Sequence, residues 1–412
     1  MTMLTALILF FIIGAWALET WVSRLNIQHL DQPIPEVFEH ALDEKKYARS
    51  QAYTKRNDQL AFVSGFISCI AVVLCLLLGI FNIFNEWASA LFTNSILQGL
   101  AFFGIVSLAS MLLSLPFSIY HTFVIEEEYG FNRTTPKLFL ADRLKGILLG
   151  VLIGAPLAAG VLWFFETFET FGWLIAWGFA TAFIFAVQYV APIWIMPLFN
   201  KFTPLEDGEL RQAIEAFAHK NGFHISGIYI IDGSKRSNKA NAFFTGFGKQ
   251  KRIALFDTLV NTMSTEEIVG VLAHEIGHCK LNHIKRMFVT SIATTGITFF
   301  CLSLVLSYAP LYRVFHVENM TVAVGIVLFS FLYTPLSMIM SVFASYLSRK
   351  YEFEADAFAA KTTGTPDALA SALIKLSVNS LSNLTPHPAY VVMHYSHPPV
   401  VERLNALEKA AQ

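Results

Sequence analysis

The sequence predicts a mainly α fold, in which seven transmembrane helices carry a small cytoplasmic α+β domain. Three observations lead there. The 412 residues are 55% hydrophobic and only 14% charged, whereas soluble domains carry about 25% charged residues. Seven stretches lack Asp, Glu, Lys and Arg altogether: 1–18, 59–85, 87–125, 146–165, 170–200, 287–312 and 319–348. A helix of about 20 such residues crosses a hydrocarbon core roughly 30 Å thick. Threading those spans puts 28 of the 29 Lys and Arg on one face and leaves only Arg313 on the other. That asymmetry marks the cytoplasmic side.

Taken in order, the first stretch competes with a signal peptide, since Ala15-Trp16-Ala17 resembles a cleavage site. Its leading Met-Thr-Met has no basic residue, as a signal peptide requires, so a retained span is expected. The third stretch exceeds one span, and its helix is placed at Leu97–Val124. Prolines at 116, 156, 192 and 335 are expected to kink their helices, which membrane helices tolerate when neighbours re-satisfy the freed backbone. The N-terminus then faces out. The organisation is 1–200 with spans one to five, 201–286 cytoplasmic, 287–348 with spans six and seven, and 349–412 cytoplasmic. Neither cytoplasmic piece is large enough to bury a good core alone, so the two are expected to form one domain.

Within 201–286, Glu206–Asn221 reads as a helix and Ile228–Ile231 as a strand. The loop Gly233–Lys239 precedes an apolar run at Ala242–Phe247. Residues 248–251 then turn into a strand at Arg252–Phe256. The net charge of −1 offers no basic excess for phosphates, which excludes nucleic acid as a partner. Cys69, Cys75, Cys279 and Cys301 follow neither metal nor disulfide spacing.

Ser264-Thr265-Glu266-Glu267 forms a capping box, opening a helix that runs into His274-Glu275-Ile276-Gly277-His278. Histidines at i and i+4 share a helical face, so both imidazoles can ligate one zinc ion. Glu275 then stands where it can take a proton from a zinc-acidified water. The bland alternative is a polar turn before a span. A catalytic zinc needs a third protein ligand and an open position. The candidates follow span seven, in Tyr351-Glu352-Phe353-Glu354-Ala355-Asp356. In a helix Glu352 and Asp356 share a face, and Glu354 points about 200° away. Glu352 suits the ligand role and Asp356 the role of holding a ligand histidine, unless the cluster merely solvates a helix end. If the helices run on continuously into spans six and seven, the zinc lies within roughly 15 Å of the membrane boundary. His283 falls on a different helical face and is not expected to be a ligand.

With these residues assembled, the chain resembles the type I CAAX prenyl endopeptidase family over nearly its whole length. The matching motifs are His274-Glu-Ile-Gly-His278, Glu352-Phe-Glu-Ala-Asp356-Ala-Phe and His394-Tyr-Ser-His397-Pro-Pro-Val-Val-Glu-Arg403-Leu, with weaker matches at Glu128-Tyr-Gly-Phe-Asn132 and Asn241-Ala-Phe-Phe-Thr-Gly246. The resemblance implies one Zn2+ per chain and Glu352, not Glu354, as third ligand beside Asp356. It also implies that His397 and Arg403 line the active site, where hydrogen donors would stabilise an oxyanion. Without it, His397 reads as an ordinary loop histidine, as His387 and His394 do. Asn241 and Ala242 match the family's substrate-binding edge, which would pair with an extended peptide. A large intramembrane chamber capped by the zinc domain is also implied.

The expected activity is zinc-dependent endopeptidase cleavage of membrane-associated chains, including prenylated C-a-a-X segments. A quality-control protease indifferent to prenylation is the alternative. The host is a bacterial inner membrane or the endoplasmic reticulum. A seven-span transporter or receptor would carry charged residues inside its spans, and these seven stretches contain none.

Overall fold

In lipid an isolated segment satisfies its backbone polar groups only as a helix, and the apolar runs fold accordingly. The computed structural model describes residues 3–168, 170–245, 251–314, 316–317 and 319–411. Helices α1 (Met3–Gln28), α2 (Glu44–Leu77), α3 (Ile80–Leu91) and α4 (Ser95–Tyr120) come first, followed by the short α5 (Glu126–Glu128). Next come α6 (Pro136–Leu149), α7 (Ala155–Thr167) and α8 (Gly172–Val190). The polar region holds β1 (Phe202–Pro204), α9 (Glu209–Lys220), β2 (Gly227–Ile231), β3 (Ala242–Thr245), β4 (Arg252–Phe256), α10 (Asp257–Val260) and α11 (Thr265–Lys280). The chain ends with α12 (His283–Leu306), α13 (Ala309–Val314), α14 (Val322–Thr363), α15 (Pro366–Asn379), α16 (Pro388–His394) and α17 (Val400–Ala411).

Seven of these helical segments are long and apolar enough to cross a membrane, with α4–α5 and α6–α7 each counted as one. The ends differ from the apolar stretches in instructive ways. Helix α2 begins at Glu44, well ahead of residue 59, because Asp43 caps it by accepting from the Lys46 N–H at 2.7 Å. It stops at Leu77, since Gly79 takes φ +68° and starts the separate α3. Three of the four prolines sit at or near π-helical turns rather than simple kinks: His121–Ile125 after Pro116, Gly150–Gly154 before Pro156, and Ala191–Ile195 around Pro192. At Pro156 and Pro192 such a turn can take up the hydrogen bond that proline cannot donate, whereas the turn after Pro116 lies beyond that proline's own missing bond. Among the described residues, only 6% of the apolar window of α2 and 28% of that of α14 is buried inside the protein, so the spans leave most of their surface open.

The four-stranded sheet has order β1-β2-β4-β3, with β2 and β4 parallel and β3 an antiparallel edge. Strand β1 has no sequence signal because three residues ending in Pro204 are too few to alternate. Residues 248–250, expected in the turn before β4, lie outside the described residues. Ile228, Ile253 and Leu255 pack on Ile268 and Leu272 of α11 and on Ala372 of α15. A second cluster joins Phe217, Ala273 and Ile276 to Ala359, Leu369, Leu404 and Leu407, and Phe38 and Leu42 from the connection after α1 and Tyr47 from the first turn of α2 add to it. The core therefore draws on three separated stretches of sequence. The loop 233–239 docks on α5, α6 and the segment between them: Arg236 is paired with Asp142 at 2.8 Å, Lys239 with Glu126 at 3.1 Å, and Asn132 bridges to Ser237.

Candidate metal centre

The site starts with the helix that carries it. Ser264 Oγ accepts from the Glu267 N–H at 3.3 Å and Glu267 Oε2 accepts from the Ser264 N–H at 2.8 Å, closing the capping box. Glu267 also accepts from Ser371 Oγ at 2.6 Å and Lys375 Nζ at 2.8 Å, which ties the start of α11 to α15. Burial pushes the Glu267 carboxyl up, but these hydrogen bonds outweigh it and leave it below the usual carboxylate range.

One turn apart on α11, His274 and His278 bring their Nε2 atoms to 3.1 Å. Glu352 reaches them from α14, with Oε2 at 3.4 Å from His274 Nε2 and Oε1 at 3.2 Å from His278 Nε2. Gly277 makes this approach possible: a Cβ there would lie 3.2 Å from Ala355 Cα and 3.1 Å from the Phe358 ring. The three ligand atoms lie within 4.8 Å of one another. Tetrahedral bonds of about 2.0–2.1 Å set neighbouring ligand atoms about 3.3 Å apart; the two Nε2 atoms at 3.1 Å, and the Glu352 oxygen nearest each of them at 3.4 and 3.2 Å, come close to that spacing. Glu352 Oε2 is also buried without a hydrogen-bond partner, which a native protein rarely leaves unexplained. Carboxylates of Glu275, Glu352 and Asp356 face one guanidinium, so the negative excess suits a divalent cation.

The outer nitrogen of each imidazole is held as well. His274 Nδ1 lies 2.8 Å from Asp356 Oδ1. Arg403 grips that carboxylate at both oxygens, Nε to Oδ2 at 2.8 Å and Nη2 to Oδ1 at 2.7 Å, and its Nη1 stands 3.4 Å from Glu352 Oε2. Arg403, which the resemblance implies as lining the active site, sits buried behind the carboxylates. His397 does stand at the front, its side chain 63% exposed and its Nε2 3.4 Å from Glu352 Oε1. Arg349 braces this segment by donating to the carbonyls of Val391 and Tyr395 at 3.1 and 2.6 Å.

His283, expected on a different helical face, also reaches the site. Its Nδ1 lies 3.1 Å from His278 Nδ1 and its Nε2 lies 2.9 Å from Glu354 Oε2. Continuous helix from His278 into span six is not what forms. Helix α11 ends at Lys280, Asn282 takes φ +60°, and α12 begins at His283. Asn tolerates that left-handed conformation better than most residues, and the break swings His283 back beside His278. The only sequence signal was the Leu281-Asn282 step.

Glu275 is half-buried; burial pushes its carboxyl above the ordinary value against the pull of His274 and His278. Asn241 is exposed and precedes the edge strand β3, whose Phe244 packs with the cluster around Ala273 and Ile276. Asn241 Oδ1 accepts from the Ala242 N–H at 2.8 Å, and the Asn241 carbonyl accepts from Phe256 N–H at 3.0 Å. Gly246 of that motif lies outside the described residues.

Comparison with known proteins gives two family matches that share the chain between them. Residues 23–201 match the family described as CAAX prenyl protease N-terminal, five membrane helices, and residues 204–411 match peptidase family M48. A rice protein named CAAX prenyl protease 1 homolog is 37% identical, over 98% of this chain and 97% of its own. CAAX prenyl protease 1 of Saccharomyces cerevisiae is 36% identical, over 98% and 94%. The crystal structure of S. mikatae Ste24p superposes with a TM-score of 0.94 at 35% identity, covering 99% of this chain and 100% of that one.

Proposed function

This chain belongs to peptidase family M48 as an integral-membrane metalloendopeptidase of the CAAX prenyl protease kind, and from that premise we propose that it uses one zinc ion to cleave membrane-associated chains ending in a prenylated C-a-a-X segment. The observation that carries the reading is the convergence of His274, His278 and Glu352. They sit on α11, which directly precedes a membrane-spanning helix, and on α14, which is itself one. His274, His278 and Glu352 would hold the zinc, with Asp356 fixing the His274 ring.

When bound, zinc supplies Lewis acidity towards the scissile carbonyl and acidifies a water. The protein's own groups do the rest. An extended substrate pairs with the edge of β3 near Asn241 and Ala242, aligning its scissile bond by main-chain hydrogen bonds. Glu275 takes the water's proton and passes it to the leaving amine. His397, at the exposed front, donates to the developing oxyanion. Arg403 acts one layer back: it holds Asp356 and faces Glu352, keeping both carboxylates in place. Catalysis close to lipid suits a substrate whose prenyl chain stays in the membrane.

Cleavage of a farnesylated C-a-a-X peptide, run beside the same peptide unprenylated, tests this. Hydrolysis of the farnesylated peptide with little of the control is expected. Equal cleavage of both would point to the quality-control alternative, and cleavage of neither would remove the proposed substrate class.

A further inference from the structure

Each ligand imidazole is held at its outer nitrogen, and the two holders differ. Asp356, backed by Arg403, serves His274. The group serving His278 is another histidine. His283 is fully buried, stacks on Tyr351 with centroids 4.5 Å apart at 13°, and touches His278 with one nitrogen and Glu354 with the other. Glu354 lies on the face of α14 turned away from Glu352, where Arg286 and Lys350 stand 3.9 Å off.

We infer that His283 and Glu354 are positioning residues that fix the tautomer and ring plane of His278. The inference rests on the zinc reading above. An imidazole that offers Nε2 to a metal keeps its proton on Nδ1. The His278 Nδ1–H then donates to His283 Nδ1, which places the His283 proton on Nε2, where it donates to Glu354 Oε2. The chain of donors and acceptors runs in one sense only, away from the ligand set. It leaves His278 Nε2 as the free lone pair, and the stack on Tyr351 stops the His283 ring from turning. Helix α12 therefore contributes to the site through its first residue, and Glu352 and Glu354 act on the same centre from opposite faces of one helix.

The test is Zn2+ affinity of the purified full-length protein, by competition with a chromophoric chelator, with the melting temperature of the metal-free protein alongside. His283→Phe keeps the stack and removes the acceptor, and is expected to bind zinc about 10–100-fold more weakly. The metal-free melting temperature should stay close to the parent's. His283→Gln, whose carbonyl can accept from His278, should recover most of that loss. Glu354→Ala should still load one zinc, but several-fold more weakly, and it decides the matter if His283→Phe does not fold. Unchanged affinity in His283→Phe, or in Glu354→Ala where that variant decides, overturns the inference. So does a glutamine variant as weak as the phenylalanine one. Absence of zinc binding by the parent would instead strike the zinc reading itself.

Discussion

Glu275 follows His274 in the chain, half-buried among groups that pull on its proton in both directions. A carboxyl raised above its ordinary value is closer to the pH at which it must both accept and return a proton. It contributes no atom to the ligand set. Glu275→Gln should therefore retain zinc at the parent's stoichiometry and lose at least about 100-fold in kcat, read from metal analysis and peptide hydrolysis on one preparation. Substantial residual activity would reassign the base. The residue scale also marks where sequence reading succeeds and fails. Two histidines at i and i+4 with a glutamate between are a local pattern, so His274, Glu275 and His278 are legible unaided. Glu352 is legible only as one carboxylate of a pair, since nothing local says which distant helix returns to α11. His283 and Glu354 are not legible as part of the site, because sequence spacing sets both on faces turned away from the ligands and does not show that those faces meet. The left-handed Asn282 moves His283 off the face a continuous helix would give it, whereas Glu354 keeps its face on α14, away from Glu352, and meets His283 there.

At the scale of elements, α11 and α14 are the pair that matters, and α15 sets where α11 begins. Glu267 is 5% exposed and closes the capping box while accepting from Ser371 and Lys375. Its folded carboxyl lies below the usual value, so its contribution is complete above the unfolded value of about 4.3. That contribution disappears as pH falls through the folded value. Replacing it by glutamine should lower stability at pH 7 by about 1–2 kcal/mol, mostly through the buried hydrogen bonds, since Lys375 is partly exposed and its charge is screened. Melting temperatures of the detergent-solubilised parent and Glu267→Gln should converge as pH is taken below 4; a gap independent of pH would show that the charge is idle. The capping box that begins this helix was plain in the sequence because it is a four-residue signal. Strand β1 and the π turns were not, because the first is too short to alternate and the second depend on how neighbouring helices receive a proline.

For the whole molecule, composition alone separates spans from polar segments, since charge is excluded from hydrocarbon over about 20 residues at a time. That is why all seven spanning helices were legible, and why their ends were not: helix continues past the apolar run wherever capping and propensity allow, as α2 does back to Glu44 and α14 does on to Thr363. The same continuation of α14 out of its apolar stretch joins membrane and catalytic geometry in one continuous helix of 42 residues. The 28 basic residues expected on one face predict which way that helix points, because loops rich in Lys and Arg tend to stay on the cytoplasmic side. The catalytic segments should then be cytoplasmic and the connections at Asn94 and Ser307 outside. Single cysteines at Asn94, Ser307 and Ser226, in a chain whose Cys69, Cys75, Cys279 and Cys301 are replaced, make this measurable. In sealed, right-side-out cells or vesicles a membrane-impermeant maleimide should label the first two and spare Ser226→Cys until the membrane is opened. The opposite pattern would invert the topology and move the metal centre to the other side of the bilayer, out of reach of a substrate prenylated in the cytosol.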